Sequence, residues 1–184
     1  MDEIEIVEYD SYWSTLFEQE SIRILNALGS DKVVAIEHFG STAVPGLAAK
    51  PIVDLMVGVH SLEAAQLLIP LLEALEYVYW RDDPRPGRMF FIKGMPPYGL
   101  GRTHHVHVVE AYGKFWERLL FRDYLRSHPE EAKCYERLKR DLAVRFRTDR
   151  EGYTKGKSAY IQIIMEKARR NQSSKVGAAK LKEE

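Results

Sequence analysis

Apolar residues at 13, 16, 17, 24, 25 and 28 recur at the spacing of one helix face and predict a helix over 12–28 that Gly29 ends. Ahead of it, Ile4, Glu5 and Ile6 alternate as a short edge strand does. Runs rich in β-branched and aromatic residues predict strands over 33–39, 52–59, 89–93 and 103–110. The last two are separated only by a Pro/Gly-rich loop at 94–101, so they are expected to pair antiparallel. A second such loop lies at 81–88, and Ser61 is positioned to cap a helix that runs to about 75. From 115 onward the pattern is helical. One helix is predicted over 115–127, ended by His128 and Pro129. A second, over 130–147, carries the stripe Tyr135, Leu138, Leu142 and Phe146, and a third, over 158–170, buries Tyr160, Ile161, Ile164, Met165 and Ala168. Residues 171–184 are polar and aperiodic and predict a disordered tail. The expectation is an α+β domain over 1–170, a mixed β-sheet flanked by helices with a C-terminal three-helix segment packed on it.

Composition narrows the function. A chain of 184 residues with 45% apolar content can bury one sizeable core. Basic and acidic residues balance at 27 each, so no net field draws the chain to nucleic acid or an anionic membrane, and any basic surface must be local. The lone Cys134 excludes an intramolecular disulfide and a cysteine zinc cluster, and fits a reducing compartment. The acidic N-terminus lacks the pattern of a secretory signal, so a cytoplasmic location is expected. The most apolar stretch, 64–75, is interrupted by Pro70 and Glu73 and falls short of the roughly 20 residues that span a bilayer.

The chemistry concentrates in residues 38–54, HFGSTAVPGLAAKPIVD. A strand that runs into Gly40-Ser41 can turn sharply and present the following amides to a phosphate, with the Ser41 hydroxyl as a further donor. Asp54 follows within an apolar strand, where a carboxylate needs a cation, a metal or several donors nearby. A glycine-serine turn facing a carboxylate on the next strand resembles the nucleotidyltransferase superfamily. The closer resemblance is to GrpB proteins, through HFGSTAVPGLAAKPIVDL at 38–55 and onward through THHVHVVE (103–110), FRDYLR (121–126), YERLK (135–139) and GYTKGKSAYI (152–161). That resemblance implies a nucleotidyltransferase-like fold, and some family members look like the domain fused to dephospho-CoA kinase.

One departure from the transferring enzymes is visible. Two residues after Asp54, on the same strand face, stands Met56 where those enzymes carry a second carboxylate, so standard two-metal chemistry is not expected. His105 and His107 share one face of their strand. If that strand neighbours the one with Asp54, a carboxylate and two imidazoles converge as ligands for a divalent metal (Mg, Mn or Zn), or one ring serves as a general base. Paired histidines on a strand are equally consistent with packing residues. Ser41, Asp54, His105 and His107 are the candidate catalytic groups. His38, Gly40, Ser41, Thr42, Lys50, Arg102, Arg122 and Lys157 are the candidate contacts to a nucleotide or other phosphorylated small molecule. The sequence GYTKGKS at 152–158 imitates a phosphate-binding loop, but it has three residues between its glycines where four are needed. Two function classes remain: a metal-dependent nucleotidyltransferase-like enzyme, or a binding module that kept the fold and lost catalysis.

Overall fold

The computed structural model describes residues 3–180. Five strands form one sheet: β1 (Ala35–Phe39), β2 (Val53–Val59), β3 (Tyr77–Tyr79), β4 (Met89–Lys93) and β5 (His104–Glu110). Their order is β1-β2-β5-β4-β3, antiparallel throughout except for the central β2–β5 pair, which is parallel. This is the mixed sheet the sequence predicts, with β4 and β5 antiparallel as expected. The parallel pair matters because it aligns Asp54 with His105 and Met56 with His107.

Period-two alternation sorts the strand residues onto two faces. Val53, Leu55 and Val57 of β2, Val106 and Val108 of β5, and Met89 and Phe91 of β4 form one face. The helix α1 (Tyr12–Leu28) covers it with Trp13, Ile24 and Leu28, and the segment 64–73 adds Leu68 and Leu72. That segment is a 3-10 turn (Ala64–Leu68) followed by the short helix α2 (Ile69–Glu73), because Pro70 falls at the first turn of α2 where its missing N–H is tolerated. The other face carries Asp54, Met56, His105 and His107. Met56 is wholly buried there with Val109, Phe115 and Leu119.

The C-terminal part holds α3 (Leu119–Ser127), α4 (Pro129–Arg145), α5 (Arg150–Gly156) and α6 (Ser158–Lys180). Three of these match the expected helices. The additional one, α5, is too short to show a periodicity; Asp149 caps it by accepting the Gly152 N–H at 2.9 Å. The helices also meet the turn-prone segment 40–51: Val44 and Leu47 insert among Leu125, Ala132, Tyr135 and Ile164.

Other elements differ from the sequence reading. The stretch at Ile4–Ile6 is not a strand; a single bridge between Val7 and Ala49 ties the N-terminal segment down. Strand β3, with three residues, is too short for alternation to register in the sequence. Trp116–Arg118 is a 3-10 turn ahead of α3. The backbone of α6 stays helical past Arg170 to Lys180, so that part of the expected tail is helix, while 181–184 lie outside the described residues. Among the described residues no helix is long and apolar enough to cross a membrane.

Candidate functional site

β1 ends at Phe39, the partner of Asp54 across the β1–β2 pair, and the chain turns at Gly40 with φ 74° and ψ −168°, a region that side chains disfavour. A Cβ on Gly40 would overlap the Asp54 carboxylate. The backbone therefore lies directly against that side chain, and a 3-10 turn, Ser41–Ala43, follows. Among the described residues, neither the Ser41 nor the Thr42 N–H is spent on a backbone carbonyl.

The turn is fixed from several sides. The Thr42 hydroxyl donates to the Ile52 carbonyl at 3.4 Å, which leaves Thr42 Oγ1 to accept from His38 Nε2 at 3.1 Å. Arg126 Nε donates to the Ala43 carbonyl at 2.8 Å, Glu136 accepts the Ala48 N–H at 3.0 Å, and Lys139 donates to the Ala48 carbonyl. The Ser41 hydroxyl meets the phenol of Tyr135.

Asp54 Oδ1 is 2.9 Å from His105 Nδ1 and 3.5 Å from His107 Nε2. The second distance is long for a hydrogen bond. The Asp54 side chain keeps 24% of its surface exposed, against 12% for His105 and 7% for His107, so Asp54 is the most exposed member of the cluster. Burial pushes the Asp54 carboxyl up, but hydrogen bonding and charge from His105 and His107 outweigh it and hold the group well below the usual carboxylate range. Burial lowers both imidazoles against the pull of Asp54, with Arg88 adding to the effect on His107, which falls to about 4. At neutral pH the cluster is one carboxylate and two neutral rings.

The donor chemistry suits a cation. One ligand atom from each of Asp54, His105 and His107 can be chosen so that all lie within 4.8 Å of one another. Nε2 of both histidines is buried without a hydrogen-bond partner.

Basic groups surround this cluster. Lys50 and Arg102 act on His105, and Lys157 lies in the fields of Lys50, Asp54 and Arg85. Lys50 and Lys157 flank the buried Tyr153 ring at 5.0 and 4.3 Å. Burial, reinforced by Lys50, lowers the Lys157 ammonium to about 7. A cleft of about 120 Å3, lined in part by Lys50, Arg102, Arg150, Glu3 and Glu5, adjoins the start of β2. A larger cleft of about 410 Å3 between α1 and the β1 edge holds no titratable group.

Not every expected contact is available to a ligand. Arg122 is buried, with Nη1 donating to Glu37 and to the His38 carbonyl, both at 2.7 Å, and Nε donating to Asp123 at 2.7 Å. Its guanidinium is occupied in tying α3 to the end of β1. His38 stacks on Phe17 on the α1 face, and Thr42 is buried beneath the turn; both shape the loop from behind. Gly40, Ser41, Asp54, His105 and His107 do converge, with Lys50, Arg102 and Lys157 around them.

Sequence reasoning missed Arg88. Its side chain is 1% exposed, Nε donates to Asp83 at 2.6 Å, and Nη1 reaches His107 Nδ1. The only sequence signal is an aspartate and an arginine in a Pro/Gly-rich loop ahead of a strand, which no periodicity distinguishes. Tyr135 was read only as core stripe, because a helical apolar pattern does not reveal where a phenol oxygen points.

The UPF0157 protein of Pseudomonas aeruginosa is 47% identical over 167 residues, covering 91% of this chain and 68% of that protein. UPF0157 protein YqkA of Bacillus subtilis is 39% identical over 168 residues, and the match spans about half of it, 48%. A dephospho-CoA kinase of Mycolicibacterium paratuberculosis is 27% identical over 90% of this chain and 46% of its own length. The crystal structure of conserved protein GrpB from Enterococcus faecalis superposes with a TM-score of 0.82 at 34% identity, covering 91% of this chain and 99% of that one. The GrpB protein family model matches residues 3–167, and the chain belongs to the GrpB family.

Proposed function

We propose that this protein is a nucleotidyltransferase-like enzyme that acts on a nucleotide or another phosphorylated small molecule in the recess around Asp54. The observation that carries this reading is the placement of one carboxylate and two neutral imidazoles against the Gly40-Ser41 turn, within a surround of Lys50, Arg102 and Lys157. Phosphate oxygens would be met by the Ser41 and Thr42 amides and by the Lys157 ammonium. Asp54 and His105 are the donors that best fit a divalent ion (Mg, Mn or Zn), which when bound would polarise a phosphoryl oxygen. Without an ion, His105 donates through Nδ1 to Asp54, and its Nε2, buried without a hydrogen-bond partner, would be the general base.

A second reading is a binding module for a nucleotide or coenzyme-like ligand. It is favoured by the burial of Met56 where a second carboxylate would stand, and by the similarity to part of a dephospho-CoA kinase.

Thermal shift across nucleotides and coenzyme A precursors, with and without Mg, Mn or Zn, separates the two. Stabilisation that needs a metal and disappears in Asp54→Asn supports the enzyme. Stabilisation indifferent to both supports the binding module, and no shift with any phosphorylated compound removes both.

A further inference from the structure

The unexpected member of the site is Arg88. A guanidinium offers only N–H groups, so the His107 Nδ1 that it faces must present its lone pair, and the ring proton must sit on Nε2. That nitrogen lies 3.5 Å from Asp54 Oδ1, too far for a hydrogen bond. We infer that Arg88 is a positioning residue that locks His107 in its Nε2–H form, so that His107 is not a metal ligand and an ion at this site would be held without it.

A ligand imidazole normally turns its remaining N–H toward an acceptor such as a carboxylate or carbonyl. His105 meets that pattern through Nδ1 and Asp54 at 2.9 Å. His107 has it reversed, with a cation where the acceptor should be. To free His107 Nε2 as a ligand, the proton would have to move to Nδ1 and point at the Arg88 N–H. Arg88 has little freedom to withdraw: Asp83 holds Nε at 2.6 Å, and the guanidinium carbon lies 4.3 Å from the Phe90 ring centre and 5.5 Å from that of Phe115. The arrangement places a fixed positive charge behind His107, in the half of the site where Met56 has taken the place of a second carboxylate.

The inference rests on the site proposed above only for its metal arm; the tautomer is read without any ligand. Nitrogen-15 NMR of histidine-labelled protein at pH 7.5 is expected to show His107 protonated on Nε2 and bare on Nδ1. A proton on Nδ1 would overturn the inference even if the protein binds nucleotides. For the metal arm, Mn or Zn is titrated alone by calorimetry. His105→Ala is expected to weaken binding at least tenfold and His107→Phe less than threefold, whereas equal losses would contradict the assignment. Arg88→Met is expected to strengthen binding and to make it sensitive to His107→Phe, an effect that a merely structural arginine would not produce. Arg88→Lys, which keeps the charge, is the companion variant should Arg88→Met unfold, and it is expected to keep the Nε2–H form. If no metal binds, the tautomer alone decides.

Discussion

Gly40 and Asp54 approach so closely that the smallest side chain on the first would overlap the carboxylate of the second. The contact follows from register: Phe39 pairs with Asp54, so the residue after Phe39 turns over the end of that pair, and its positive φ suits glycine. Gly40→Ala is therefore expected to lower stability by about 1–3 kcal/mol from backbone strain. It also displaces Asp54 from His105 and abolishes thermal stabilisation by any phosphorylated ligand. Urea unfolding and thermal shift measure the two effects separately.

Met56 fills space that a carboxylate cannot occupy cheaply. It is fully buried with Val109, Phe115 and Leu119. Met56→Asp, which adds a second acid beside Asp54, is expected to destabilise by about 4 kcal/mol or more and to leave ligand binding no better. Met56→Leu, which conserves volume, is expected to change stability by less than about 1.5 kcal/mol.

Arg122 and Lys157 both occur in motifs that suggested phosphate contact, yet the structure separates them. Arg122→Gln is expected to lower stability by roughly 1–3 kcal/mol, discounted because Glu37 and Asp123 are partly exposed, with ligand affinity unchanged within threefold. Lys157→Gln is expected to leave stability nearly unchanged and to weaken a phosphorylated ligand about tenfold, roughly 1.4 kcal/mol. Because Lys157 is lowered to about 7, affinity for that ligand should fall as pH rises from 7 to 9.

Acid should destabilise the fold before carboxylates titrate. Burial holds His38 at about 4, against an ordinary value of 6.5, despite the opposing pull of Asp54. The folded ring stays neutral while the unfolded chain takes up a proton below 6.5, so this contribution is full above 6.5 and is lost as pH falls from there through about 4. Between pH 7.5 and 4.5 it amounts to about 2–3 kcal/mol. His38→Asn should remove that part of the slope in urea unfolding followed against pH.

Much of this arrangement is legible in the sequence. The helix at 12–28 was read to its ends because its apolar stripe is long and Gly29 stops it, and the alternation of β5 was enough to place His105 and His107 on one face. That Asp54 would lie beside His105 required only that their strands be neighbours, which they are. What escaped depends on side-chain direction and on short segments. Arg122 carries the same signal as a phosphate-binding arginine, and only tertiary contacts with Glu37 and the His38 carbonyl show where its donors go. His38 and Thr42 belong to the motif but support it from behind. Arg88 enters from a loop whose path no periodicity predicts, and β3 and α5 are too short to leave a pattern.

The site at Asp54 is proposed to receive a phosphorylated ligand. The most direct measurement is electron density in a crystal grown without chelator and soaked with whichever nucleotide or coenzyme precursor gives the largest thermal shift. Phosphate density within hydrogen-bond reach of the Ser41 amide and Lys157, present in the wild type and absent in Asp54→Asn, is the predicted result. A ligand bound elsewhere, with the Asp54 recess holding only water at full occupancy of that other site, would contradict it.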